Sequence, residues 1–337
     1  KKLGFGKYFA DYMFTMDYDE GIGWHDATIR PYGPIEMNPA TVVLHYAQET
    51  FEGLKAYRRA DGQIQLFRPE MNARRMINSN ERLCMATIPE DMFIEAVNAL
   101  VKAEEDWVPS EPETSLYIRP FAFACESSLG VHKSKAYKFV IILSPVGAYY
   151  AEGLAPVKIM VEDEYVSAVQ GGTGFTKCGG NYAGSIIGQV KAEKYGCSQV
   201  LWLDGRERKY VEEVGAMNIM FKIDGEIYTA PIEGTVLPGV TRDSIIHILK
   251  DWGYKVNETH LSVDDLMQAG RDGRLEEVYG TGTAAVISPV GALVYKGEEI
   301  TINNFKIGDL TQKLYDYLTG IQWGKEEDKY GWTRLVK

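Results

Sequence analysis

Ten consecutive positions, 171–180, hold five glycines around a single lysine, Lys177. Glycine lets backbone pass close to a bulky partner, so a segment of this kind is shaped to receive something. Two phosphate-cradling loops fail on inspection. A Walker-type loop needs Gly-Lys-Ser/Thr, but Lys177 lies between Thr176 and Cys178. A dinucleotide loop needs Gly-x-Gly-x-x-Gly, and after Gly172 and Gly174 the place of the third glycine is taken by Lys177. Two readings remain open. Lys177 is either a nucleophile whose pKa burial depresses, able to form a Schiff base with a carbonyl cofactor, or a surface-loop lysine among turn glycines.

The rest of the composition narrows the class. The chain has 337 residues, enough for about two domains. Its 34 glycines exceed the ordinary share of roughly 7%. With 13 prolines and no repeat period, they describe neither collagen nor a linker. Lys and Arg number 36 against 47 Asp and Glu, a formal charge of −11. Such a balance argues against sequence-nonspecific nucleic-acid binding, which rests on cations neutralising phosphates. It leaves room for one local basic pocket. The longest purely apolar runs, 121–125 and 139–143, are too short to span a bilayer, and the sequence opens without a secretory apolar stretch. Cys84, Cys125, Cys178 and Cys197 form no Cys-x-x-Cys pair, and the five histidines lack ligand spacing. Neither a disulfide scaffold nor a metal site is expected, and a reducing cytoplasm is.

Periodicity outlines a mixed α and β, two-domain chain. Residues 1–66 read as β-rich, including alternating runs at 41–46 and 63–66. A helix at 72–84 sets Arg75, Ser79 and Arg82 at three-to-four spacing. Another at 90–107 aligns Phe93, Ala96, Val97, Leu100 and Val101. Strands at 115–119 and 138–143 complete a small N-terminal α/β domain, 1–146. A connection at 147–156 leads to a larger domain, 157–337. There the strands are expected at 157–161, 199–203, 217–223 and 226–229. Helices are expected at 182–195, with Ile186, Ile187 and Val190 inward, at 241–252, and at 303–318. Ser262-x-x-Asp265 reads as a capping box opening a further helix.

The run Gly-Gly-Thr-Gly-x-x-Lys-x-Gly-Gly-Asn-Tyr-Ala resembles the lysine signature of branched-chain amino-acid aminotransferases, which are fold type IV, class IV pyridoxal-phosphate enzymes. Further motifs follow in the family's order: Phe51-Glu52-Gly53-Leu54-Lys55-Ala56, Leu66-Phe67-Arg68-Pro69, Glu213-Val214-Gly215-Ala216-Met217-Asn218, Leu237-Pro238-Gly239-Val240-Thr241-Arg242 and Gly280-Thr281-Gly282-Thr283-Ala284-Ala285. They cover nearly the whole chain. The resemblance implies a small α/β domain beside a larger pseudo-barrel domain carrying the lysine.

It also implies roles. Lys177 forms the Schiff base with pyridoxal 5'-phosphate and, once freed, moves the substrate proton. Tyr182 contacts the phenolic oxygen of the cofactor, and Glu213 pairs with its ring nitrogen, keeping the ring a good electron sink. Arg75, the helix start at Val240 and Thr241, and Thr283 hold the phosphate, a helix N-terminus being suited to an anion. The substrate carboxylate meets backbone N–H groups around Thr283, Ala284 and Ala285, helped by Tyr46. Phe5, Tyr46, Tyr117, Tyr149 and Tyr182 wall the side-chain pocket, and Arg119 meets the distal carboxylate of glutamate. Leu129 and Val131 match a loop that reaches the neighbouring subunit's pocket, which implies a homodimer.

Two positions depart from relatives. Ala216 stands where some have threonine, and Ala285-Val286-Ile287-Ser288 lacks the Cys-x-x-Cys pair of some animal relatives. Cys178 reads as a small buried filler. The expected activity is transfer of the amino group of L-leucine, L-isoleucine or L-valine to 2-oxoglutarate by a ping-pong cycle in branched-chain amino-acid metabolism, biosynthesis among its routes. Rival readings are a D-amino-acid transaminase or aminodeoxychorismate lyase of the same fold, and a non-enzymatic small-anion binding protein.

Overall fold

The computed structural model describes residues 3–148 and 154–337. The chain divides into two compact units that are not continuous in sequence. The first comprises Lys1–Ala151, Thr176–Gly180 and Gly320–Lys337; the second comprises Glu152–Phe175 and Asn181–Thr319. The lysine segment and the C-terminal residues thus group with the N-terminal part, not with 157–337.

In the first unit, β1 (Tyr12–Asp19), β2 (Gly23–Pro31), β3 (Glu49–Phe51), β4 (Leu54–Arg58), β5 (Ile64–Phe67), β6 (Ser115–Ala124) and β7 (Ala136–Val146) join the C-terminal strand Thr333–Leu335 in one eight-stranded antiparallel sheet. Side chains alternate across a strand, so the sheet has two distinct faces. Leu54 and Ala56 of β4 and Leu116, Ile118, Ala122 and Ala124 of β6 enter one core with Met76 of α2 (Pro69–Arg82) and Phe93, Val97 and Leu100 of α3 (Glu90–Ala103). The intervening residues, Tyr117, Arg119, Phe121 and Phe123, point to the opposite face. That face carries the chemistry described below.

The apolar spacing read for α3 is realised: Phe93, Ala96, Val97, Leu100 and Val101 are all buried. The alternating run at 41–46 is not a strand. Val42–Tyr46 forms a short helix, α1, ended by Ala47 in the left-handed region at φ 51°. Local β-branched character at Thr41, Val42 and Val43 is overridden by context.

In the second unit, β8 (Val157–Glu162), β9 (Gln199–Leu203), β10 (Val211–Val214), β11 (Met217–Ile223), β12 (Glu226–Thr229), β13 (Val256–Glu258), β14 (Leu275–Gly282), β15 (Val286–Tyr295) and β16 (Glu298–Thr301) form a nine-stranded sheet. Six of them, in the order β10-β9-β8-β15-β14-β11, close on themselves because β10 also pairs with β11. The expected barrel-like domain is this ring. Its interior is filled by residues such as Ile159, Leu201, Ile219 and Leu293.

Helix α4 (Gly179–Lys194) differs from expectation. Ile186, Ile187 and Val190 are exposed, at 59%, 45% and 42%. The buried residues are Gly188 and Ala192. A Cβ on Gly188 would lie 2.5 Å from the Trp202 ring, so the helix meets β9 through its smallest side chains because an indole occupies the space. Helix α5 (Val240–Asp251) starts within a residue of its predicted position. Helix α6 (Val263–Arg271) opens with the predicted cap, Ser262 Oγ accepting from the Asp265 amide at 3.0 Å. The last helix, α7, spans Asp309–Gln322, later than predicted, because Asn303, Asn304 and Phe305 all take positive φ and form a separate turn. Among the described residues no helix is long and apolar enough to cross a membrane.

Candidate active site

Lys177 is held by the sheet of the first unit. Thr50 and Cys178 form an isolated antiparallel bridge, and the Phe51 amide donates to the Lys177 carbonyl at 3.0 Å. The lysine segment is therefore pinned beside β3 by a single bridge just before α4 begins. Its own amide donates to Ser79 Oγ of α2 at 3.0 Å. In this register Cys178 and Thr50 face the core, where Cys178 is buried and accepts from Thr176 Oγ1. Lys177 and Phe51 face the other way, and the Lys177 Nζ lies 4.8 Å from the centre of the Phe51 ring. Such a contact holds the ammonium over the negative face of the ring.

The same ring serves a second cation. Arg119 Cζ lies 4.8 Å from its centre and 5.3 Å from that of Tyr117, and Arg119 Nη2 donates to Tyr117 Oη at 3.1 Å. Arg119 Nε is buried with no hydrogen-bond partner among the described residues. Phe5 meets Tyr117 edge to face at 4.9 Å. Gly53 is required here: a Cβ would fall 2.0 Å from Tyr117 Oη. Four predicted residues, Phe5, Tyr117, Arg119 and Lys177, thus share one face. Tyr46 and Leu129 are joined by a hydrogen bond from Tyr46 Oη to the Leu129 carbonyl. Leu129 and Val131 are exposed, at 67% and 81%. Tyr149 lies outside the described residues.

Arg75 comes from α2, one turn before Ser79. Its Nε and Nη2 donate to the two oxygens of Glu52, each at 2.8 Å. Glu52 is fully buried and also accepts from Asn72 Nδ2 at 2.8 Å. Asn72, Arg75 and Ser79 recur at helical spacing, so one face of α2 braces both the Phe51-Glu52-Gly53 strand and the lysine segment. Glu52 and Asn72 were not foreseen as site residues, although Glu52 lies within a quoted motif.

In the second unit, Glu213 is the penultimate residue of β10, just before the Gly215–Ala216 turn. Its Oε1 accepts from the Leu237 amide at 2.8 Å and from Asn218 Nδ2 at 3.3 Å. Asn218 also donates to the Leu237 carbonyl at 2.9 Å. A Cβ on Gly239 would meet Asn218 Oδ1 at 2.0 Å. Asn218 therefore ties the carboxylate to the loop that opens α5, whose first residues Val240 and Thr241 are buried. Asn218 pairs with Thr281 across β11 and β14, so the turn at Thr283, Ala284 and Ala285 lies on the same rim of the barrel. Val286, at the end of that turn, takes φ 61°, a strained conformation for a β-branched residue.

Tyr182 is half-buried near the start of α4. Beside it, Thr173 Oγ1 donates to Asn181 Oδ1 at 2.6 Å, and Asn181 Nδ2 donates to the Thr173 carbonyl at 2.9 Å. Gly174 packs on the Thr235 backbone, where a Cβ would come within 2.4 Å of the carbonyl oxygen. Thr235 Oγ1 in turn donates to Glu212 at 2.7 Å, and burial pushes the Glu212 carboxyl above its usual range. Arg242 is taken up elsewhere, by the Ala230 carbonyl and Glu258, both at 2.9 Å. Among the described residues no group of three or more His, Cys, Asp or Glu side chains could hold a metal ion.

Each unit supplies groups of the kinds that a pyridoxal-phosphate transferase uses. The first offers a lysine over an aromatic ring and a braced, buried arginine, and the second a doubly hydrogen-bonded carboxylate and a glycine-led helix start. Residues 49–293 match the family model described as amino-transferase class IV. The chain belongs to this family. It is 54% identical over 335 residues to branched-chain-amino-acid aminotransferase 2 of Bacillus subtilis, covering 99% of this chain and 92% of that protein. It is 47% identical to the branched-chain-amino-acid aminotransferase of Mycolicibacterium smegmatis, covering 98% and 91%. Among solved structures it is similar to the Escherichia coli branched-chain amino acid aminotransferase, at TM-score 0.80, 27% identity and coverage of 97% and 100%.

Proposed function

We propose that this chain is a branched-chain amino-acid transaminase that exchanges the amino group of L-leucine, L-isoleucine or L-valine with 2-oxoglutarate, giving branched-chain 2-oxo acids and L-glutamate. The single observation that carries the reading is more than 50% identity over nearly the whole chain to a branched-chain-amino-acid aminotransferase. Nothing in the structure favours the D-amino-acid, lyase or anion-binding readings.

The donor set fits pyridoxal 5'-phosphate. Lys177 is its covalent anchor, Glu213 the partner of its ring nitrogen, and Tyr182 the contact to its phenolic oxygen. Arg75, Thr283 and the α5 start at Val240 and Thr241 take its phosphate. When bound, the cofactor supplies the electron sink that makes the substrate α-proton removable.

The protein's own residues do the rest. The Lys177 amine takes and returns that proton, and the residue's backbone is fixed by hydrogen bonds with the Phe51 amide and with Ser79 Oγ. Glu213 stays aimed because both Leu237 and Asn218 donate to it. The aromatic face of Phe5 and Tyr117 excludes water from an apolar side chain, with Tyr46 contributing to the walls. Ala284 and Ala285 offer backbone donors to the α-carboxylate. Arg119 receives a distal carboxylate. Exposed Leu129 and Val131 complete a second subunit's pocket in a homodimer.

Purified protein mixed with pyridoxal 5'-phosphate, L-leucine and 2-oxoglutarate should release glutamate, and D-leucine should not replace L-leucine. Lys177→Ala should lose both turnover and the visible absorbance of the bound cofactor. Retention of both by that variant would overturn the reading.

A further inference from the structure

The catalytic face carries one acid that the pocket assignment leaves unused. Glu49 is the first residue of β3, two before Phe51, and so projects on the same face as Phe51, Arg119 and Lys177. In the register set by the Thr50–Cys178 bridge it lies beside Gly179, whose amide donates to Glu49 Oε2 at 3.0 Å. A Cβ on Gly179 would come within 2.4 Å of that oxygen, so the glycine two residues after the catalytic lysine makes room for this carboxylate. Burial pushes the Glu49 carboxyl above its usual range, while the Gly179 amide and the charge of Arg119 pull it down. Arg119 stacks on the ring of Phe51, two residues along the same face of β3 from Glu49, and its Nε is still without a hydrogen-bond partner among the described residues.

One pocket must accept both an apolar side chain and a dicarboxylate. With an apolar chain bound, the half-buried Arg119 charge faces no substrate anion, and a partly desolvated cation gains from compensation. Glu49 supplies it. With a dicarboxylate bound, the substrate's distal carboxylate competes with Glu49 for the same cation. We infer that Glu49 is a specificity-determining residue that weakens dicarboxylate binding relative to branched-chain binding by offsetting the charge of Arg119. The inference rests on the transaminase reading above and on the place that reading gives Arg119.

The test compares the holoenzyme with its Glu49→Gln and Glu49→Asp variants by calorimetric titration. The ligands are glutarate, which carries a distal carboxylate, and 4-methylvalerate, which does not. Glutamine keeps an acceptor for the Gly179 amide and removes the charge. Its ratio of glutarate to 4-methylvalerate affinity should rise about five- to tenfold, the size expected of one charge at a partly buried site. Aspartate keeps the charge and should hold the ratio within about twofold of the parent. Should Glu49→Gln fail to fold, Glu49→Ser removes the same charge while keeping an acceptor. An unchanged ratio in the neutral variants, or equal shifts for both ligands, would overturn the proposal. A parent enzyme that binds neither ligand would instead overturn the transaminase reading, and this inference with it.

Discussion

Glu52 and Arg75 meet fork to fork, Nε on Oε1 and Nη2 on Oε2, both at 2.8 Å, with the carboxylate wholly out of solvent. Two donors in fixed geometry orient the guanidinium plane as one donor could not. Breaking a buried pair from one side leaves a charge uncompensated, at a cost of about 3–5 kcal/mol. Glu52→Ala should therefore lower stability by that amount in urea unfolding. It should also loosen pyridoxal 5'-phosphate, read as a raised Kd, if Arg75 binds the phosphate. Glu52→Asp should restore part of both.

Glu213 is held by a backbone amide that does not distinguish carboxylate from carboxamide. Glu213→Gln should keep the Leu237 hydrogen bond and the thermal midpoint. It should lose the charge proposed to face the cofactor's ring nitrogen and with it turnover, on the order of a hundredfold in kcat, the size of removing one preorganised electrostatic group. Steady-state kinetics beside a melting curve separates the two effects.

Lys55 is buried on β4, opposite Tyr117, and burial pushes its ammonium down to about 8 from an ordinary 10.5. Below pH 8 the group is charged in both folded and unfolded chains, and the folded state bears the full cost. Between about 8 and 10.5 the unfolded chain holds the proton and the folded chain does not, so this residue's contribution to stability rises with pH. The span of the shift corresponds to about 3 kcal/mol. Lys55→Met should gain stability relative to the parent at pH 7 and lose that relative gain, by a similar amount, at pH 10.5. Urea midpoints at the two pH values check it.

Gly308 precedes α7, and Glu277 reaches into the space its missing side chain leaves. A Cβ there would lie 2.0 Å from Glu277 Cδ. Glu277 accepts from the Thr311 amide at 2.8 Å and Thr311 Oγ1 at 2.7 Å, capping the helix from β14. Gly308→Ala should displace that cap and cost about 1–3 kcal/mol, by overpacking. A matching loss in Glu277→Ala, with no further loss in the double variant, would show the two act together.

Most of the strands and helices were legible because their apolar periods coincide with burial, as on α3. The motifs also singled out Lys177, Arg75 and Glu213. What was hidden is of two kinds. Residues 41–46 and Ile186, Ile187 and Val190 had the right local character for a strand and an inward face, but α1's left-handed cap and the Trp202 ring decided otherwise. Glu52 and Glu49 were hidden for another reason. Their partners lie 23 and 130 residues away, and no local spacing reports such pairings.

The docking of the lysine segment beside β3, through the single Thr50–Cys178 bridge, has a consequence for the order of assembly. Lys177 docks on residues almost a hundred positions or more earlier, with Ser79 at a separation of 98 and, through Gly179, Glu49 at 130. Closing spans of that length is entropically costly and occurs only once the surfaces that reward it exist. The nascent chain therefore carries an ordinary, solvated amine. Its reactivity toward carbonyl compounds arises with the final contacts of folding, and a chain arrested short of them should be colourless with cofactor as well as inactive.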